Sequence, residues 1–540
     1  MDDDISLTKE CRANGPSQKG SNSSSRAPAR FLGAVICLFV IFSLLLEGEA
    51  KSKFVFQTVI DKAKQLAEKP FQSPPQVPEF LVKMSYDDWR DIRFDSEQAM
   101  WRKEKLPFAV QFFHPGLYYD RAVAINVVDP SGEHTVPFST DMFNYGRNNF
   151  KDKIPPDLGF AGFRIHYPIN TPDYYDEVAV FLGASYFRAV AKNQNYGMSS
   201  RGLAIDTALS TGEEFPYFKE FWLLKPAPGA NKMVVYALLD SASVTGAYTY
   251  TIQPGVETTM DVKSVLFFRK KVEKLGIAPQ TSMFFYSETA SQRPLDDFRP
   301  EVHDSDGLLV ATGHGEWIWR PLRNPRTLQI QSFQTQNPVG FGLLQRDQVF
   351  DHYQDLESKY ETRPSLWVSP AGNWGEGRVE LIQIPTEGEV NDNIISMWVP
   401  ANVPSKGESA NYSYKLSWHF PNGGRPPGGH VVSTRIAKGK GEKVRKFVID
   451  FEGGRLDALP ADAALTAVIS VDSKAKLVEQ QLYKNRVTKG WRLVFQVSFD
   501  EPGSIDRVMP PGKRPSSELR AFLKLAESAL TETWSYAYQP

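Results

Sequence analysis

Short apolar runs separated by turn-forming residues dominate the sequence from about residue 109 onward. Segments such as AVQFF, FRIHYPI, KMVVYALLD, GAYTYTIQPG and GRVELIQIP are rich in β-branched and aromatic residues, and glycines and prolines punctuate the chain between them. Such runs are typical of β-strands, because branched and aromatic side chains pack well on a pleated surface. Many short strands at spacings of roughly ten to fifteen residues predict a large antiparallel β-sandwich.

Two segments predict helices instead. The stretch TVIDKAKQLAEKPF, residues 58–71, has apolar side chains at helical spacing and ends beside a proline. The stretch SYDDWRDI places Ser85 three residues before Asp88, which is the start of a capping box for a short helix.

A break in the strand pattern occurs at PNGGRPPGG, residues 421–429, whose glycines and prolines predict a linker. The strand-like runs HVVSTRIAK, KFVIDFEGG, ALTAVISVD, LVEQQLYKN and GWRLVFQVSFD follow it. Their number and rhythm predict an immunoglobulin-like sandwich over residues 430–540, although the Cys…Trp…Cys core pattern is missing. Residues 51–420 are predicted to form the large sandwich, so the fold class is all-β.

The N-terminus has a different character. Residues 1–30 are polar and predicted to be disordered, and the apolar run Phe31–Leu46 follows Arg26 and Arg30. This run is shorter than the ~20 residues of a membrane span and suits the core of a signal peptide. Small residues near its end predict cleavage after Ala50, so residues 1–50 would be leader and signal peptide. An uncleaved inner-membrane anchor is the alternative.

Cysteine and charge content narrow the function classes. Both cysteines, Cys11 and Cys37, lie upstream of the predicted cut, which excludes disulfides, thiolate zinc sites and cysteine nucleophiles from the mature chain. The mature chain has equal numbers of acidic and basic residues, and therefore no electrostatic reason to seek nucleic acid. We expect a neutral partner.

Motifs for cofactors and metals are missing. The sequence has no phosphate-binding G-x-x-x-x-G-K-[ST] motif, no G-x-G-x-x-G and no G-x-S-x-G nucleophile elbow. His303 and His314 are not at the spacing of a helical zinc pair, and the DSDG turn lacks a calcium loop's first and last ligands. We therefore expect no metal and no cofactor, and either chemistry by carboxylates or no chemistry.

Two acidic segments stand out. Asp304 and Asp306 lie in EVHDSDGLLVATGHGEWIWRPL, and Glu387, Glu389 and Asp392 lie in PTEGEVNDNIISMWVP. Two well-placed carboxyl groups are all that glycoside hydrolysis requires. Acidic residues in loops at strand ends are equally explained as solvated turn formers, and spacing alone does not separate the two interpretations.

Aromatic residues accompany these acids. Trp317 and Trp319 are two positions apart in a predicted strand, so their rings face the same side, as core residues or as a sugar-binding platform. Tyr360 and Arg363 lie in SKYETRP. The histidines, including His303, His314 and His352, are interpreted as structural.

The long stretch GFGLLQRDQVFDHYQDLESKYETRPSLWVSPAGNWGEGRVELIQIPTEGEVNDNIISMWVP, with EVHDSDGL, GEWIWRPL and TETWSY, resembles the periplasmic glucan biosynthesis proteins of types G and D. These are exported proteins of Gram-negative bacteria needed to make osmoregulated periplasmic glucans. The resemblance runs from about residue 54 to the end. It implies a periplasmic location, a galactose-mutarotase-like large sandwich with a long cleft, and an immunoglobulin-like C-terminal domain. Type G is favoured, because a twin-arginine signal is missing.

The resemblance also implies roles for individual residues, since this family is similar to a group of glycoside hydrolases that cleave β-1,2-glucan with inversion. Asp392 is expected to be the acid and Asp304 the residue that activates water, with proton transfer through a substrate hydroxyl and bound waters. Glu389 and Tyr360 are expected to support them by hydrogen bonds. Expected contacts to the substrate come from Trp317, Trp319, Arg363 and Glu387.

Two functions follow as hypotheses. The first is an inverting β-1,2-glucanase that trims or releases a backbone made by an inner-membrane glucosyltransferase. For this function, the neighbouring Glu387 and Glu389 are expected to raise the pKa of Asp392. The second is a glucan-binding scaffold, without catalysis, that guides the nascent chain from that enzyme. A mutarotase-type activity is a third hypothesis, suggested only by fold analogy.

Overall fold

The computed structural model describes residues 54–290, 293–294, 296–421, 424–500 and 516–539. The predicted leader, signal peptide and cleavage after Ala50 lie outside the described residues, as do two positions of the predicted linker.

The first half of the described chain contains sixteen strands, numbered in chain order. They are β1 (Arg93–Phe94), β2 (Ala109–Phe113), β3 (Ala124–Asp129), β4 (Gly132–Thr135), β5 (Phe143–Asn144), β6 (Gly162–Tyr167), β7 (Asp176–Leu182), β8 (Tyr186–Ala189), β9 (Ser199–Arg201), β10 (Ala204–Ile205), β11 (Tyr217–Leu224), β12 (Met233–Asp240), β13 (Val244–Gln253), β14 (Thr258–Phe268), β15 (Leu275–Ser282) and β16 (Phe284–Tyr286).

The second half of the described chain adds the remaining strands. They are β17 (Val302–His303), β18 (Gly307–Ala311), β19 (Trp317–Pro321), β20 (Gln329–Gln336), β21 (Gly340–Leu344), β22 (Ser365–Ala371), β23 (Glu376–Gln383), β24 (Ile394–Pro400), β25 (Ser409–His419), β26 (His430–Lys438), β27 (Val444–Glu452), β28 (Leu465–Val471), β29 (Ala475–Lys484), β30 (Trp491–Phe499), β31 (Ser517–Leu525), β32 (Ser528–Ala529) and β33 (Thr533–Tyr538).

Helices are few and short in the described residues: α1 (Phe56–Ala67), α2 (Glu79–Val82), α3 (Tyr86–Arg90) and α4 (Phe350–Tyr353). The predicted helix at 58–71 thus begins and ends earlier than its sequence pattern suggests. The predicted cap is present, because the backbone N–H of Asp88 donates to the Ser85 hydroxyl at 3.1 Å. In the part of the chain that the structure describes, no helix has the length and apolar character needed to cross a bilayer.

Two large sheets form the first sandwich. The ten-stranded sheet has the order β2-β6-β7-β8-β9-β15-β24-β23-β20, with β10 paired to β15. The second sheet has fifteen strands and includes β14. On β14, buried Met260 and Val262 alternate with exposed Asp261 and Lys263, so that one face of the strand packs in the core. One large apolar cluster draws its side chains from both sheets. The prediction of an all-β class is confirmed.

The C-terminal strands build a second layered unit on the same long sheet. The four-stranded sheet β26-β27-β30-β29 shares a buried apolar cluster with β31, β33 and the strands β18 and β19. Strand β33 pairs in parallel with β19, matching Trp319 with Trp534. The fifteen-stranded sheet therefore runs through both parts of the molecule, and the boundary at residues 421–429 stays a prediction.

Candidate functional site

The predicted acidic residues come together because two segments flank the end of β15. Strand β15 pairs with β24, and the backbone N–H of Asn393, just before β24, donates to the Ser282 carbonyl at 3.1 Å. On the other side, the backbone N–H of Asp304, just after β17, donates to the Met283 carbonyl at 2.8 Å. The loop that carries Asp392 and the turn that carries Asp304 therefore leave the sheet at neighbouring points.

The base of the loop between β23 and β24 is fixed by one side chain. The Asn393 amide is buried and donates to the carbonyls of Phe284 and Ile384 at 3.0 Å each. Its oxygen accepts the Phe284 N–H at 2.8 Å. Because a buried amide with paired donors and acceptor holds one orientation, the position of the neighbouring Asp392 is defined.

Asp304 is buried, with 4% of its surface exposed, and its carboxylate accepts a hydrogen bond from the Arg363 guanidinium. Burial raises the pKa of Asp304 to about 6, Arg363 opposes that rise, and the negative charge of Asp392 adds to it. Asp304 is therefore a carboxylate at neutral pH that accepts a proton more readily than an ordinary aspartate does.

Asp392 lies at the open edge of the cluster, where solvent reaches it. Crowding by protein atoms raises its pKa through desolvation, whereas Thr281 and the arginines Arg188, Arg201 and Arg363 oppose the rise. The rise in the pKa of Asp392 thus comes mainly from desolvation, and not from the neighbouring glutamates as expected from the sequence.

The two aspartates, far apart in the chain, are thus electrostatic neighbours with Arg363 as a shared cation. Asp392 disfavours ionisation of Asp304, and Arg363 favours ionisation of both. The Arg363 side chain is oriented by bonds to the Ser358 carbonyl at 3.2 and 3.1 Å, and its guanidinium stacks 4.2 Å from the Tyr360 ring centre. Arg363, which we predicted to bind substrate, is also a structural counterion of the site.

A second set of contacts joins Tyr360 and Glu389. The buried Tyr360 hydroxyl donates to the Glu389 carboxylate at 2.5 Å. Arg299 donates to the same carboxylate at 2.7 Å and to Asp355 at 2.9 Å. Burial, with the bond to Glu389, raises the pKa of Tyr360, so its hydroxyl stays protonated as a donor.

Two predicted substrate contacts lie away from this cluster. Trp319 is 2% exposed, belongs to the core beneath the C-terminal strands, and lies 3.5 Å from the Arg346 guanidinium. Trp317 stacks on Trp367, with ring centres 5.8 Å apart, at the edge of the same core. Both tryptophans therefore pack in or against this apolar core, as the core interpretation expects.

Glu387 is exposed and makes no hydrogen bond or ion pair within the described part of the chain. It lies on the same loop as Glu389 and Asp392, but it does not take part in the buried network.

Several members of the site give no sequence signal. Arg188 and Arg201 lie on β8 and β9, where single arginines in a strand pattern suggest only solvent exposure. Arg299 is the one that sequence reasoning could most easily have found, because it lies just before the EVHDSDG stretch. Thr281 lies near the end of a fully buried strand, where a threonine is an ordinary strand residue and gives no sign of a functional role.

An aromatic pocket of about 210 Å³ lies near Asp392. Its walls include Tyr186 and Phe215, and the Arg201 guanidinium lies 5.5 and 5.9 Å from the centres of those two rings. The negative charge of Asp392 contributes to the raised pKa of Tyr186, which places the pocket and the carboxyl within electrostatic range. Aromatic faces beside polar groups suit a sugar ring.

One group of described side chains has the geometry of a metal site. Ligating atoms of Glu301, Asp347 and His352 lie within 4.8 Å of one another. Glu301 is already bound by His303 at 3.0 Å, and His352 is hydrogen-bonded to Asp347. These side chains satisfy each other without an ion.

Chemically, the site offers two aspartates with raised pKa values, one buried beside a cation and one open to solvent. Such a pair can divide the work of general acid and general base, because one carboxyl is buried beside a cation and the other is open to solvent.

Comparisons with known proteins agree on one family. The sequence model of the family described as "Periplasmic glucan biosynthesis protein, MdoG" matches residues 54–538. The chain is 48% identical over 506 residues to the glucans biosynthesis protein G of Ralstonia nicotianae, covering 92% of this chain and 98% of that protein. Among solved structures, the GH36 alpha-galactosidase AgaA from Geobacillus stearothermophilus is 10% identical, with a TM-score of 0.24, covering 48% of this chain and 39% of that one. That structural likeness is too weak to carry an argument.

Proposed function

This chain belongs to the MdoG family of periplasmic glucan biosynthesis proteins, and we propose that within this role it hydrolyses a β-1,2-glucan backbone with inversion. The observation that carries the proposal is the electrostatic pairing of Asp304 and Asp392, two aspartates with raised pKa values.

Asp392 is the proposed general acid. Desolvation raises its pKa, which favours the protonated form that a general acid needs, and its place at the open edge leaves room for a sugar chain. The aromatic pocket near it would hold neighbouring sugar rings. Protonation of the leaving oxygen lets the bond to the anomeric carbon break.

Asp304 is the proposed general base. It is ionised at neutral pH beside Arg363, and it is buried, so it would take the proton of the attacking water through a substrate hydroxyl or ordered water. Attack by water from the face opposite the leaving group inverts the anomeric configuration. Tyr360 and Arg299 would hold Glu389 as a fixed acceptor in that chain of hydrogen bonds.

The test uses linear β-1,2-glucan and the purified protein. Asp392→Asn and Asp304→Asn should each lower turnover by about 10²–10⁴-fold, the usual contribution of a general acid or base. Asp261→Asn, which removes a half-exposed carboxylate on β14, is the matched control and should keep full activity. Proton NMR of the first products should show the α-anomer. Full activity of Asp392→Asn, or a β-anomer first product, would overturn the proposal.

A glucan-binding scaffold remains the second candidate, and the aromatic pocket favours it, because stacking surfaces hold sugars without catalysis. This candidate expects the wild type to bind β-1,2-glucan with no release of reducing ends. It also places the inner-membrane glucosyltransferase as the partner that delivers the chain.

A further inference from the structure

A groove of about 680 Å³ lies between the large sandwich and the C-terminal strands, and neither of the two aspartates lines it. Its walls come from β16 and the segments that follow β16 and β19 on one side, and from β26, β27 and β33 on the other. The volume is within the range of small-molecule sites.

The groove is strongly cationic. Five of its lining residues carry positive charge: Arg293, Arg323, Arg326, Lys438 and Arg445. No acidic residue lines it in the part of the chain that the structure describes. Such a concentration of one sign of charge is unusual in a chain whose total charge is close to zero.

Two of these cations face each other directly. Lys438 on β26 is the register partner of Arg445 on β27. Like charges directly opposite on neighbouring strands destabilise a sheet. Arg445 donates to the Tyr538 hydroxyl at 2.8 Å and to backbone carbonyls, and neither Lys438 nor Arg445 forms an ion pair with a described carboxylate. An anion between them would relieve the repulsion.

Arg323 points to the same conclusion. Its guanidinium lies 5.4 Å from the Tyr536 ring centre, and its Nη2 atom is buried without a hydrogen-bond partner among the described residues. A buried, unpaired donor costs free energy unless a ligand or water meets it. Asp297, the acid that interacts with Tyr286 of the groove, is already bound by Arg299 at 2.7 Å.

Aromatic side chains complete the lining, namely Phe284, Phe285, Tyr286, Tyr536 and Tyr538. Cations beside aromatic faces are suited to a ligand with an anionic group and an apolar ring face, which describes an acidic sugar. We propose that this groove binds a phosphate or carboxylate group carried on a saccharide. The saccharide part rests on the proposed function, whereas the anion site does not.

The groove is connected to the candidate site through the hydrogen bonds of one side chain to the backbone of another residue. Asn324, which lines the groove, donates to the Thr386 carbonyl at 2.8 Å and accepts the Thr386 N–H at 3.0 Å. Thr386 lies near the start of the loop that carries Glu389 and Asp392. A glucan chain with acidic substituents would therefore place its charged groups on one side of this loop and its backbone on the other.

The test is a calorimetric titration of the purified protein with glucose 6-phosphate, glucose and inorganic phosphate. Glucose 6-phosphate should bind more tightly than either of the others, and added NaCl should weaken its binding. The double variant Lys438→Gln/Arg445→Gln should weaken it by about tenfold or more, because charge-assisted hydrogen bonds are lost. The control Lys476→Gln/Arg486→Gln removes two exposed charges from the same unit and should bind like the wild type.

Several outcomes would overturn the proposal. One is equal binding of glucose 6-phosphate to both double variants. Another is wild-type binding of free phosphate as tight as that of the sugar phosphate. Binding to phosphatidylglycerol vesicles in place of glucose 6-phosphate would indicate a lipid headgroup instead. Folding of the variant is checked by its melting temperature, which should change little, since the change removes a like-charge pair together with the hydrogen bonds of Arg445. Asp392→Asn should still bind glucose 6-phosphate, which separates this proposal from hydrolysis.

Discussion

The substitution Arg363→Gln tests the electrostatic design of the site most directly. It removes the cation that is hydrogen-bonded to Asp304 and that also favours ionisation of Asp392. A neighbouring arginine lowers the pKa of a carboxyl group by ~1–3 units, equivalent to about 1.4–4 kcal/mol. Without it, the pKa of Asp304 should rise from about 6 to ~7–9.

The activity should follow this change in a defined direction. The proposed base Asp304 works only when it is ionised. The fall of kcat/KM on the acidic side of the pH profile should therefore move from about pH 6 to higher pH. The limb of the acid Asp392 should move the same way, because Arg363 also lowers its pKa. At pH 7 the variant should lose activity and should recover part of it at about pH 9.

Reducing-end release from linear β-1,2-glucan, measured from about pH 4 to 10, gives the profile. Arg363→Lys, which keeps the charge, should retain a limb near the wild-type position. Arg378→Gln, which removes a cation bonded to Glu380 at 3.0 Å elsewhere in the ten-stranded sheet, is the control. Carbon NMR of the Asp304 carboxyl measures the pKa without reference to activity. An Asp304 pKa unchanged in Arg363→Gln would refute the reasoning.

Three further predictions concern other parts of the structure. Tyr360→Phe removes the 2.5 Å bond to Glu389 and should lower kcat by about tenfold or more with little change in KM, measured by steady-state kinetics; a change in KM alone would contradict it. Trp319→Ala should lower the free energy of unfolding by roughly 3–5 kcal/mol in urea titrations, because the ring is core; a large loss of glucan affinity in the folded protein would instead support a platform role. Carboxylates around the buried His303 raise its pKa to about 9 against the effect of burial, so this group stabilises the fold fully below about pH 6.5 and loses that effect as pH rises through about 9. Urea midpoints at about pH 7 and 10 should show the loss in the wild type, and His303→Gln should reduce the difference; equal losses in both would reject this origin.

Local pattern determined most of the secondary structure. The runs FRIHYPI, KMVVYALLD and GRVELIQIP contain most or all of β6, β12 and β23, because strand formation depends on neighbouring residues and on which face is apolar. The cap at Ser85 is equally local, and the early end of α1 shows how uncertain a helix boundary is without its tertiary contacts. Resemblance to a family, and not periodicity, singled out Asp304 and Asp392 among many loop acids.

The sequence by itself thus determined the all-β class, most strand positions and, through its motifs, the family. Only the tertiary structure decided which groups meet: the end of β15 brings the Asp304 turn beside the Asp392 loop, and Arg188 and Arg201 arrive from other strands. Strand periodicity indicated that Trp317 and Trp319 share a face, but not that the C-terminal strands cover it. The physical reason is that side-chain periodicity depends on a few neighbouring residues, whereas burial and pKa depend on long-range strand pairing that no local pattern specifies.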